Sequence, residues 1–430
     1  MQLIITNVKQ LLPTNELKAC EVKVKDGMIE EIADYIEKKP TDTLIDGQGN
    51  LIAPGFIDIH VHLREPGGGA KETVETGTKA AARGGFTTVC TMPNTRPVVD
   101  NPEILHQLNQ KIADTASVRV LPYAAITQSL QGEKLTDMVS LKEAGAFAFT
   151  DDGVGVQTAD QMLQAMNIAA KLNMPIVAHC EDNSLIHQGV VHEGEVSSRL
   201  GINGIPAVCE SVQIARDVLL AEATGCHYHV CHVSTKESVR VIRDAKRAGI
   251  HVTAEVTPHH LLLNETHILD LDTNFKMNPP LRAKDDQQAL FEGLLDGTID
   301  FIATDHAPHT ESEKQTDINK SPFGIVGLET AFALLYSHFV QTEKVTLKQL
   351  IDWLTIKPAE VFHLASGELK VGRAADLTLI NLDQKWLIDK EKFYSKAKNT
   401  PFQNWEVTAN PILTMVNGKI VYEEASYVKP

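Results

Sequence analysis

The sequence predicts a (β/α)₈ barrel of the TIM type, joined to a small composite β-sandwich domain formed by both termini. Eight short apolar, β-branched runs lie between about residues 54 and 310, and a polar turn and a helical pattern follow most of them. This alternation is typical of a parallel sheet. The stretches 158–173, 210–223 and 236–248 carry apolar residues three and four positions apart, as helices that cover a barrel do. Eight such units favour a closed barrel over an open doubly wound sheet.

The barrel is predicted to cover residues 54–365. Its strands are, in chain order, GFIDIHVH, TTVCTMP, VRVLPYAAIT, GAFAFTDDG, PIVAHCED, HYHVCHVST, HVTAEVTPHH and TIDFIATDHAP. A helical segment from Thr346 to Leu364 begins at a Thr N-cap and leads from the last strand towards the C-terminal part.

The β domain is predicted from residues 1–53 and 366–430, which both consist of strand-like segments. A turn at Asp26-Gly27 lies in the first part, and an Asn417-Gly418 hairpin turn lies in the second. Because these two β segments flank the barrel, we expect them to form one domain.

Composition and charge exclude several classes of function. The net charge of −16 argues against nucleic acid as a partner, because binding to phosphates requires a basic surface. Nowhere do about 18 apolar residues run together, and the first residues are too interrupted by polar side chains for a signal peptide. We therefore expect a cytoplasmic protein without membrane contact.

The strongest chemical signal is a set of metal-ligand residue types at predicted strand ends. His60 and His62 end the first strand, and residues two apart on a strand point to the same face. The other members of the set end the fifth, sixth and eighth strands: His179, His232 and Asp305. Any one of these histidines alone is better read as a hydrogen-bonded core residue. Their convergence on the carboxyl rim, where barrels place their active sites, indicates a metal centre.

Further residues near this rim are candidates for ligand or substrate contacts. Asp151 or Asp152, after the fourth strand, could bridge two ions or merely cap a turn. Arg64 suits a substrate carboxylate, and Asn94 and Asn278 could add amide hydrogen bonds, although each could also be a surface or turn residue. The segment 309–327 is polar and aperiodic, as a binding loop or lid is, or a plain surface loop.

The remaining histidines are assigned to other roles. His259 and His260 follow a proline and are interpreted as turn or supporting groups. His227, His229 and His251 start or lie within strands and are interpreted as structural.

These motifs resemble those of the amidohydrolase superfamily and, within it, the dihydroorotases. The segments DIHVHLREPG (58–67) and ATDHAPHTESEK (303–314) resemble the two family signatures, and GELKVGRAADLTLINL resembles the C-terminal β part. This combination is more specific than the HxH element alone, which hydantoinases, dihydropyrimidinases and allantoinases also show.

The resemblance implies zinc, one or two ions per chain, and a set of ligands. His60 and His62 would hold one ion, His179 and His232 the other, and Asp305 would bind the first ion and move the proton. Many relatives bridge their metals with a carboxylated lysine after strand four, where this chain has Thr150-Asp151-Asp152-Gly153. The bridge is therefore carried to Asp152, as in the bacterial branch that uses an aspartate.

The resemblance also implies the substrate and its contacts. Dihydroorotate would be opened to N-carbamoyl-aspartate, in pyrimidine biosynthesis, or formed from it. The contacts implied are His62, Arg64, Asn94, Asn278, His309, Phe323 and Gly324. A homodimer is expected, and association with aspartate transcarbamoylase is left open.

Two other functions compete with this one. Another cyclic amidohydrolase, such as an allantoinase or a dihydropyrimidinase, is disfavoured by the missing lysine and by the pair Arg64 and Asn94. A non-catalytic scaffold for aspartate transcarbamoylase is disfavoured because every metal-ligand position is occupied by a ligand-type residue.

Overall fold

The structure is a computed structural model that describes residues 2–425. Residue 1 and residues 426–430, which belong to the predicted β domain, lie outside the described residues. The strands are β1 (Gln2–Leu11), β2 (Leu17–Lys25), β3 (Met28–Ala33), β4 (Thr43–Asp46), β5 (Leu51–Pro54), β6 (Phe56–Val61), β7 (Phe86–Thr91), β8 (Arg119–Pro122), β9 (Ile176–Ala178), β10 (Val191–His192), β11 (Gly204–Ile205), β12 (Tyr228–Val230), β13 (Val252–Val256), β14 (Phe301–Ile302), β15 (Leu377–Leu387), β16 (Glu406–Val416) and β17 (Lys419–Glu423).

The helices follow the strands on the outside of the barrel and in the loops. They are α1 (Val74–Arg83), α2 (Pro102–Thr115), α3 (Met138–Glu143), α4 (Ala159–Leu172), α5 (Glu195–Leu200), α6 (Val208–Thr224), α7 (Lys236–Arg247), α8 (Pro258–Leu262), α9 (Lys284–Leu295), α10 (Glu311–Lys314), α11 (Ala331–Leu335), α12 (Leu347–Leu354) and α13 (Ile356–Val361). Among the described residues, no helix is both long and apolar enough to span a membrane.

The predicted barrel strands form a closed parallel ring. One sheet has the order β6-β7-β8 and another the order β14-β13-β12-β9. Phe149 connects the two sheets, because it forms parallel bridges to Ala124 and to Ile176, and the bridge between Val61 and His306 closes the ring. The fourth predicted strand is therefore reduced to the bridges at Phe149. All carboxyl ends of the ring meet at one rim, which positions the candidate site.

Both termini contribute to one separate sheet of eight strands. Its order is β17-β16-β15-β5-β1-β2-β3, with β4 paired to β1. The two predicted turns join the strand pairs at the two ends of this order, β2–β3 and β16–β17. They nevertheless contact each other, since a Cβ on Gly27 would lie 2.9 Å from the Asn417 carbonyl oxygen. The sheet thus folds back on itself, as the predicted sandwich requires, and both turns have the positive φ angles of tight hairpins (Asp26 50°, Asn417 47°).

The helices begin where side-chain caps are available. Thr158 accepts a hydrogen bond from the Gln161 amide and starts α4, and Thr235 caps α7 in the same way. The predicted helical segment 346–364 begins at the Thr346 cap but is divided between α12 and α13 at Thr355. Pro358 explains the break, because it has no N–H to donate to the carbonyl of Leu354 and its ring clashes with that carbonyl.

The segment 309–327 contains only the four-residue helix α10 and is otherwise irregular. It extends from the last barrel strand to the rim, and its backbone is hydrogen-bonded at several points. Asn399 accepts a hydrogen bond from the His309 amide and donates to the Gly324 carbonyl. The segment is therefore tied to the β part of the chain as well as to the barrel.

Candidate metal centre

The histidines and aspartates predicted from the strand ends meet at the carboxyl rim. His62, His179 and His232 lie just beyond the ends of β6, β9 and β12, while His60 is the next-to-last residue of β6. Asp305 follows β14, and Asp152 follows the bridge at Phe149. All six side chains are buried, with at most 7% of any residue exposed. The structure therefore brings together residues that are up to 245 positions apart in the sequence.

Asp152 is the common neighbour of the four histidines. Its Oδ1 lies 3.4 Å from His60 Nε2 and 3.9 Å from both His179 Nδ1 and His232 Nε2. Its Oδ2 lies 3.5 Å from His62 Nε2. Ligands about 2.1 Å from an ion at tetrahedral angles lie about 3.4 Å apart, so these spacings fit a shared metal ligand.

Asp305 contacts both histidines of the first barrel strand. Its Oδ1 is 3.0 Å from His62 Nε2 and 3.4 Å from His60 Nε2. His179 Nδ1 and His232 Nε2 face each other at 3.0 Å. His60, His232 and Asp305 offer ligand atoms within 4.8 Å of one another, as do Asp152, His179 and His232, so the two groups of candidate ligands overlap.

Asp151, the alternative bridge, points away from the histidines. Its carboxylate accepts hydrogen bonds from the amides of Ile126 and Thr127 and from the Thr127 hydroxyl. Burial raises its pKa to about 6. Burial acts on Asp152 too, but the charges of His60 and the other histidines outweigh it and hold the pKa of Asp152 well below its usual value.

The outer nitrogen of three histidines contacts an oxygen that can only accept. His60 Nδ1 donates to Glu255 Oε1 at 2.6 Å, and His179 Nε2 lies 3.4 Å from Glu181 Oε2. His62 Nδ1 lies 3.0 Å from Asn94 Oδ1, whose amide nitrogen in turn donates to Asp152 Oδ2 at 3.1 Å. In the neutral form of the rings, these contacts favour protons on the outer nitrogens, and the inner nitrogens then present lone pairs to one another and to the aspartates.

Facing lone pairs and carboxylates are unfavourable unless a cation lies between them. Two of the atoms concerned, His60 Nε2 and Asp152 Oδ1, are buried without a hydrogen-bond partner. A buried polar atom without a partner costs free energy and calls for an explanation such as an ion. The donor set of imidazoles and carboxylates therefore fits divalent metal ions.

A cavity of about 320 Å³ opens beside this centre. It is lined by every residue predicted to contact the substrate and by five of the six predicted ligands: His62, Arg64, Asn94, Asp152, Gly153, His179, His232, Asn278, Asp305, Ala307, His309, Pro322, Phe323 and Gly324. His60 lies deeper, below the cavity.

Arg64 supplies positive charge to this cavity. Its Nε donates to the Pro308 carbonyl at 3.1 Å, and its Nη2 lies 3.2 Å from His309 Nε2. His309 Nε2 also donates to the Phe323 carbonyl at 2.7 Å, while its Nδ1 accepts from Lys71 at 3.3 Å. Burial and then Arg64 and Lys71 lower the pKa of His309 to about 2, so His309 is neutral beside the guanidinium.

Two carboxylates in this site were not predicted from the sequence. Glu255 lies within β13, and Glu181 follows β9 by three residues; both contact a candidate metal ligand. A charged residue inside an apolar barrel strand, as in HVTAEVT, is the signal that could have identified Glu255. Glu181 carries no such signal, since acidic residues are common in turns. Its carboxylate accepts hydrogen bonds from Asn278 at 3.1 Å.

The other histidines lie outside the candidate ligand set. His260 Nε2 contacts the Pro279 carbonyl at 2.9 Å, in keeping with a supporting role. His229 lies behind the centre, where its Nε2 is 3.2 Å from Glu255 Oε2.

Comparison with known proteins agrees with the motifs. A family model described as "Dihydro-orotase-like" matches residues 49–238. A dihydroorotase of Geobacillus sp. (strain WCH70) is 62% identical over 99% of this chain and 99% of its own length. A dihydroorotase of Shouchella clausii (strain KSM-K16) is 65% identical over 95% of each chain. The chain belongs to the dihydroorotase family.

The dihydroorotase family membership extends over the barrel and the β part alike. A dihydroorotase of Bacillus pumilus (strain SAFR-032) is 60% identical over 100% of both chains. The predicted resemblance to dihydroorotases is thus confirmed over the whole length, well beyond the segment that the family model matches.

Solved structures of hydantoinases share the fold with this member of the dihydroorotase family. L-hydantoinase (dihydropyrimidinase) from Arthrobacter aurescens has a TM-score of 0.89 at 26% identity, over 98% of this chain and 96% of its own. D-hydantoinase from Thermus sp. has a TM-score of 0.86 at 26% identity, over 100% and 97%. The predicted barrel with its composite β domain is therefore confirmed, and the identity to hydantoinases is far below the identity to dihydroorotases.

Proposed function

We propose that this chain catalyses the reversible hydrolysis of dihydroorotate to N-carbamoyl-aspartate, in pyrimidine biosynthesis. The observation that carries the proposal is the position of Arg64, a guanidinium in the same cavity as the candidate metal ligands. Dihydroorotate is a cyclic amide with a carboxylate, and a guanidinium binds a carboxylate through paired hydrogen bonds. The full-length identity of 60–65% to dihydroorotases supports the same substrate.

Zinc, one or two ions, is the proposed cofactor. His60, His62 and Asp305 would hold one ion, His179 and His232 the other, and Asp152 both. Ions in this position supply Lewis-acid polarisation of the amide carbonyl and make water more acidic at neutral pH.

Asp305 is the proposed general acid and base. Its carboxylate lines the cavity, so it can accept a proton from the attacking water on one side of the scissile bond. The same proton is then returned to the ring nitrogen as the carbon–nitrogen bond breaks. In the reverse direction, the carboxylate takes the proton from the ureido nitrogen of N-carbamoyl-aspartate as the ring carbon–nitrogen bond forms, and returns it to the oxygen that leaves as water.

The other residues of the cavity are proposed to orient the substrate. Arg64 binds the carboxylate, and neutral His309 contacts it beside the guanidinium. Asn94 and Asn278 present amide groups, and Phe323 and Gly324 present backbone groups of the segment 309–327. His62 contributes one edge of the cavity. Together these groups fix the amide next to Asp305, which lowers the entropic part of the barrier.

A side-by-side assay tests the proposal. Purified protein is incubated with dihydroorotate, hydantoin, dihydrouracil and allantoin, and its metal content is determined by elemental analysis. We expect turnover of dihydroorotate alone, with one to two equivalents of zinc. Turnover of hydantoin or dihydrouracil in preference to dihydroorotate would assign the chain to the other cyclic amidohydrolases, and a fully active metal-free protein would refute the metal centre.

The proposed setting is the cytoplasm, with the chain as a homodimer. Sedimentation equilibrium at several protein concentrations tests the dimer. Association with aspartate transcarbamoylase is tested in the same experiment by adding that enzyme and measuring a change in the sedimenting mass.

A further inference from the structure

Two lysines are buried beneath the segment 309–327, where the proposed mechanism does not use them. Lys314 ends α10 and is the last residue of the signature-like segment ATDHAPHTESEK; Lys276 lies just before the segment that carries Asn278. Only 5% of Lys314 and 2% of Lys276 is exposed. Burying an ammonium group is costly unless it is hydrogen-bonded, so both positions call for a reason.

The ammonium groups donate to backbone carbonyls. Lys314 Nζ donates to the carbonyls of Lys276 and Pro322 at 3.1 Å and 3.0 Å. Lys276 Nζ donates to the Ile318 carbonyl at 2.5 Å. Within residues 2–425, neither lysine forms an ion pair with a carboxylate. Each ammonium therefore connects separate parts of the backbone, as a staple does. Its hydrogen bonds stabilise the conformation of the segment 309–327.

The two lysines contact residues that line the cavity. The Lys276 carbonyl, which accepts from Lys314, also accepts from the Gly324 amide at 2.9 Å. Lys276 Nζ lies 4.4 Å from the centre of the Phe323 ring, within the range of a cation–π contact. The Phe323 carbonyl in turn accepts from His309. Pro322, Phe323 and Gly324 all line the cavity.

We infer that Lys314 and Lys276 are positioning residues that hold Pro322–Gly324 against the cavity, ready to contact the substrate. The inference rests on the proposed function, since it assigns a role in binding dihydroorotate. A loop that is ordered before binding loses less conformational entropy when the substrate arrives. Removal of either lysine's hydrogen bonds should therefore lower the affinity for the substrate. It should not move the groups that carry out the reaction.

The test compares Lys314→Met with the matched control Lys320→Met. Met has a similar length but no donor, and Lys320 is an exposed lysine of the same segment. In Lys314→Met we expect KM for dihydroorotate to rise about tenfold, with kcat and zinc content within about twofold of wild type. We also expect faster hydrogen–deuterium exchange in the peptide that contains the Gly324 amide. Lys320→Met should change neither.

Chemical rescue separates a lost ammonium from a damaged fold. Lys314 lines a cavity of about 290 Å³ together with Thr273, Asn274 and Gln315, among others, so there is room for a small amine beside this residue. Ethylamine should lower the KM of Lys314→Ala towards the wild-type value and leave wild type and Lys320→Met unchanged. If Lys314→Met does not fold, Lys276→Met is tested in the same way, because it removes the other staple.

The outcomes distinguish the inference from the proposed function. An unchanged KM and exchange rate in Lys314→Met, or a fall in kcat at constant KM, would overturn the positioning role. Wild-type protein that does not turn over dihydroorotate would refute the proposed function instead. The comparison of exchange rates between Lys314→Met and Lys320→Met would still decide whether the lysine holds the segment.

Discussion

His60 Nδ1 lies 2.6 Å from Glu255 Oε1, so a buried carboxylate on β13 orients the ring of a candidate metal ligand on β6. The same carboxylate contacts His229 Nε2 at 3.2 Å and accepts from the His232 amide at 3.2 Å. Burial alone would raise the pKa of Glu255, but the contacts with His60 and His229 lower it to about 2. Glu255 is therefore an anion that fixes two ligand-bearing segments.

We predict that Glu255→Gln weakens metal binding. Gln retains the shape but loses the charge that makes His60 a stronger donor, and loss of such a supporting group commonly costs 10-fold to 100-fold in metal affinity. Competition with a chelator of known affinity measures the change. Glu265→Gln is the matched control, because Glu265 is also buried but lies outside the centre, where it accepts from the Val196 amide. Equal zinc affinity of the two variants would rule out the supporting role of Glu255.

The neighbours Asp151 and Asp152 are predicted to differ in their effect on the metal. Asp152→Asn should lose at least one equivalent of zinc, because Asp152 is the residue near all four histidines. Asp151→Asn should retain the zinc, since Asp151 contacts the backbone at residues 126 and 127. Elemental analysis of both variants decides between them, and metal loss in Asp151→Asn alone would move the bridge to that residue.

Asp151 should also contribute to the pH dependence of stability. Burial raises its pKa from 3.8 to about 6, so the folded state holds the proton more tightly than the unfolded chain. This contribution is fully present below pH 3.8 and is lost as the pH rises through 6. Relative to Asp151→Asn, wild type should therefore lose on the order of 1 kcal/mol of unfolding free energy between pH 5 and pH 8. Urea unfolding of both metal-free proteins measures it; a constant difference would contradict the raised pKa.

The sequence was informative where a periodic pattern or a strand end carried the signal. The eight strand positions follow from apolar runs, and the positions of His60, His62, His179 and His232 follow from the rule that barrel strands end at one rim. Phe149 could not be recognised as a mere bridge, because pairing geometry depends on both neighbouring strands. The break at Thr355 was not predicted, although a proline within a helical segment, here Pro358, indicates one.

Contacts across the barrel could not be predicted from the sequence. Glu255 is 195 positions from His60, and nothing local indicates that they touch. The buried Lys276 and Lys314 look like ordinary surface lysines in a polar stretch, and only the fold shows that their ammonium groups bind carbonyls. Asn94 was predicted to bind substrate, and the structure adds its contacts with His62 and Asp152. Its role in substrate binding stays a prediction.

We predict that Arg64→Ala raises KM for dihydroorotate strongly without changing the bound metal. Hydrogen bonds to charged groups contribute about 1.5 to 3 kcal/mol each, so loss of a paired contact raises KM by at least about tenfold. Arg64→Lys keeps the charge without the paired geometry, so its KM should lie between the values of wild type and Arg64→Ala. Steady-state kinetics and zinc content test the series, with Arg96→Ala, an exposed arginine outside the cavity lining, as control. If Arg64→Ala had wild-type KM, the carboxylate would be bound elsewhere and the assignment of dihydroorotate would lose its main support.

The last prediction separates the two roles of Asp305, metal ligand and proton carrier. Asn keeps the shape and still offers an oxygen to a metal, but it cannot accept a proton at neutral pH. In Asp305→Asn we therefore expect kcat to fall roughly 10²-fold to 10⁴-fold, the usual contribution of a general acid or base, while most of the zinc stays bound. Because Asp305 Oδ1 lies 3.0 Å from His62 Nε2, the zinc content of the variant must be measured in parallel to exclude simple loss of the ion. A variant that retains both its zinc and near wild-type turnover would make Asp305 a ligand only. His309, which also lines the cavity, would then be the first residue to test as the proton carrier.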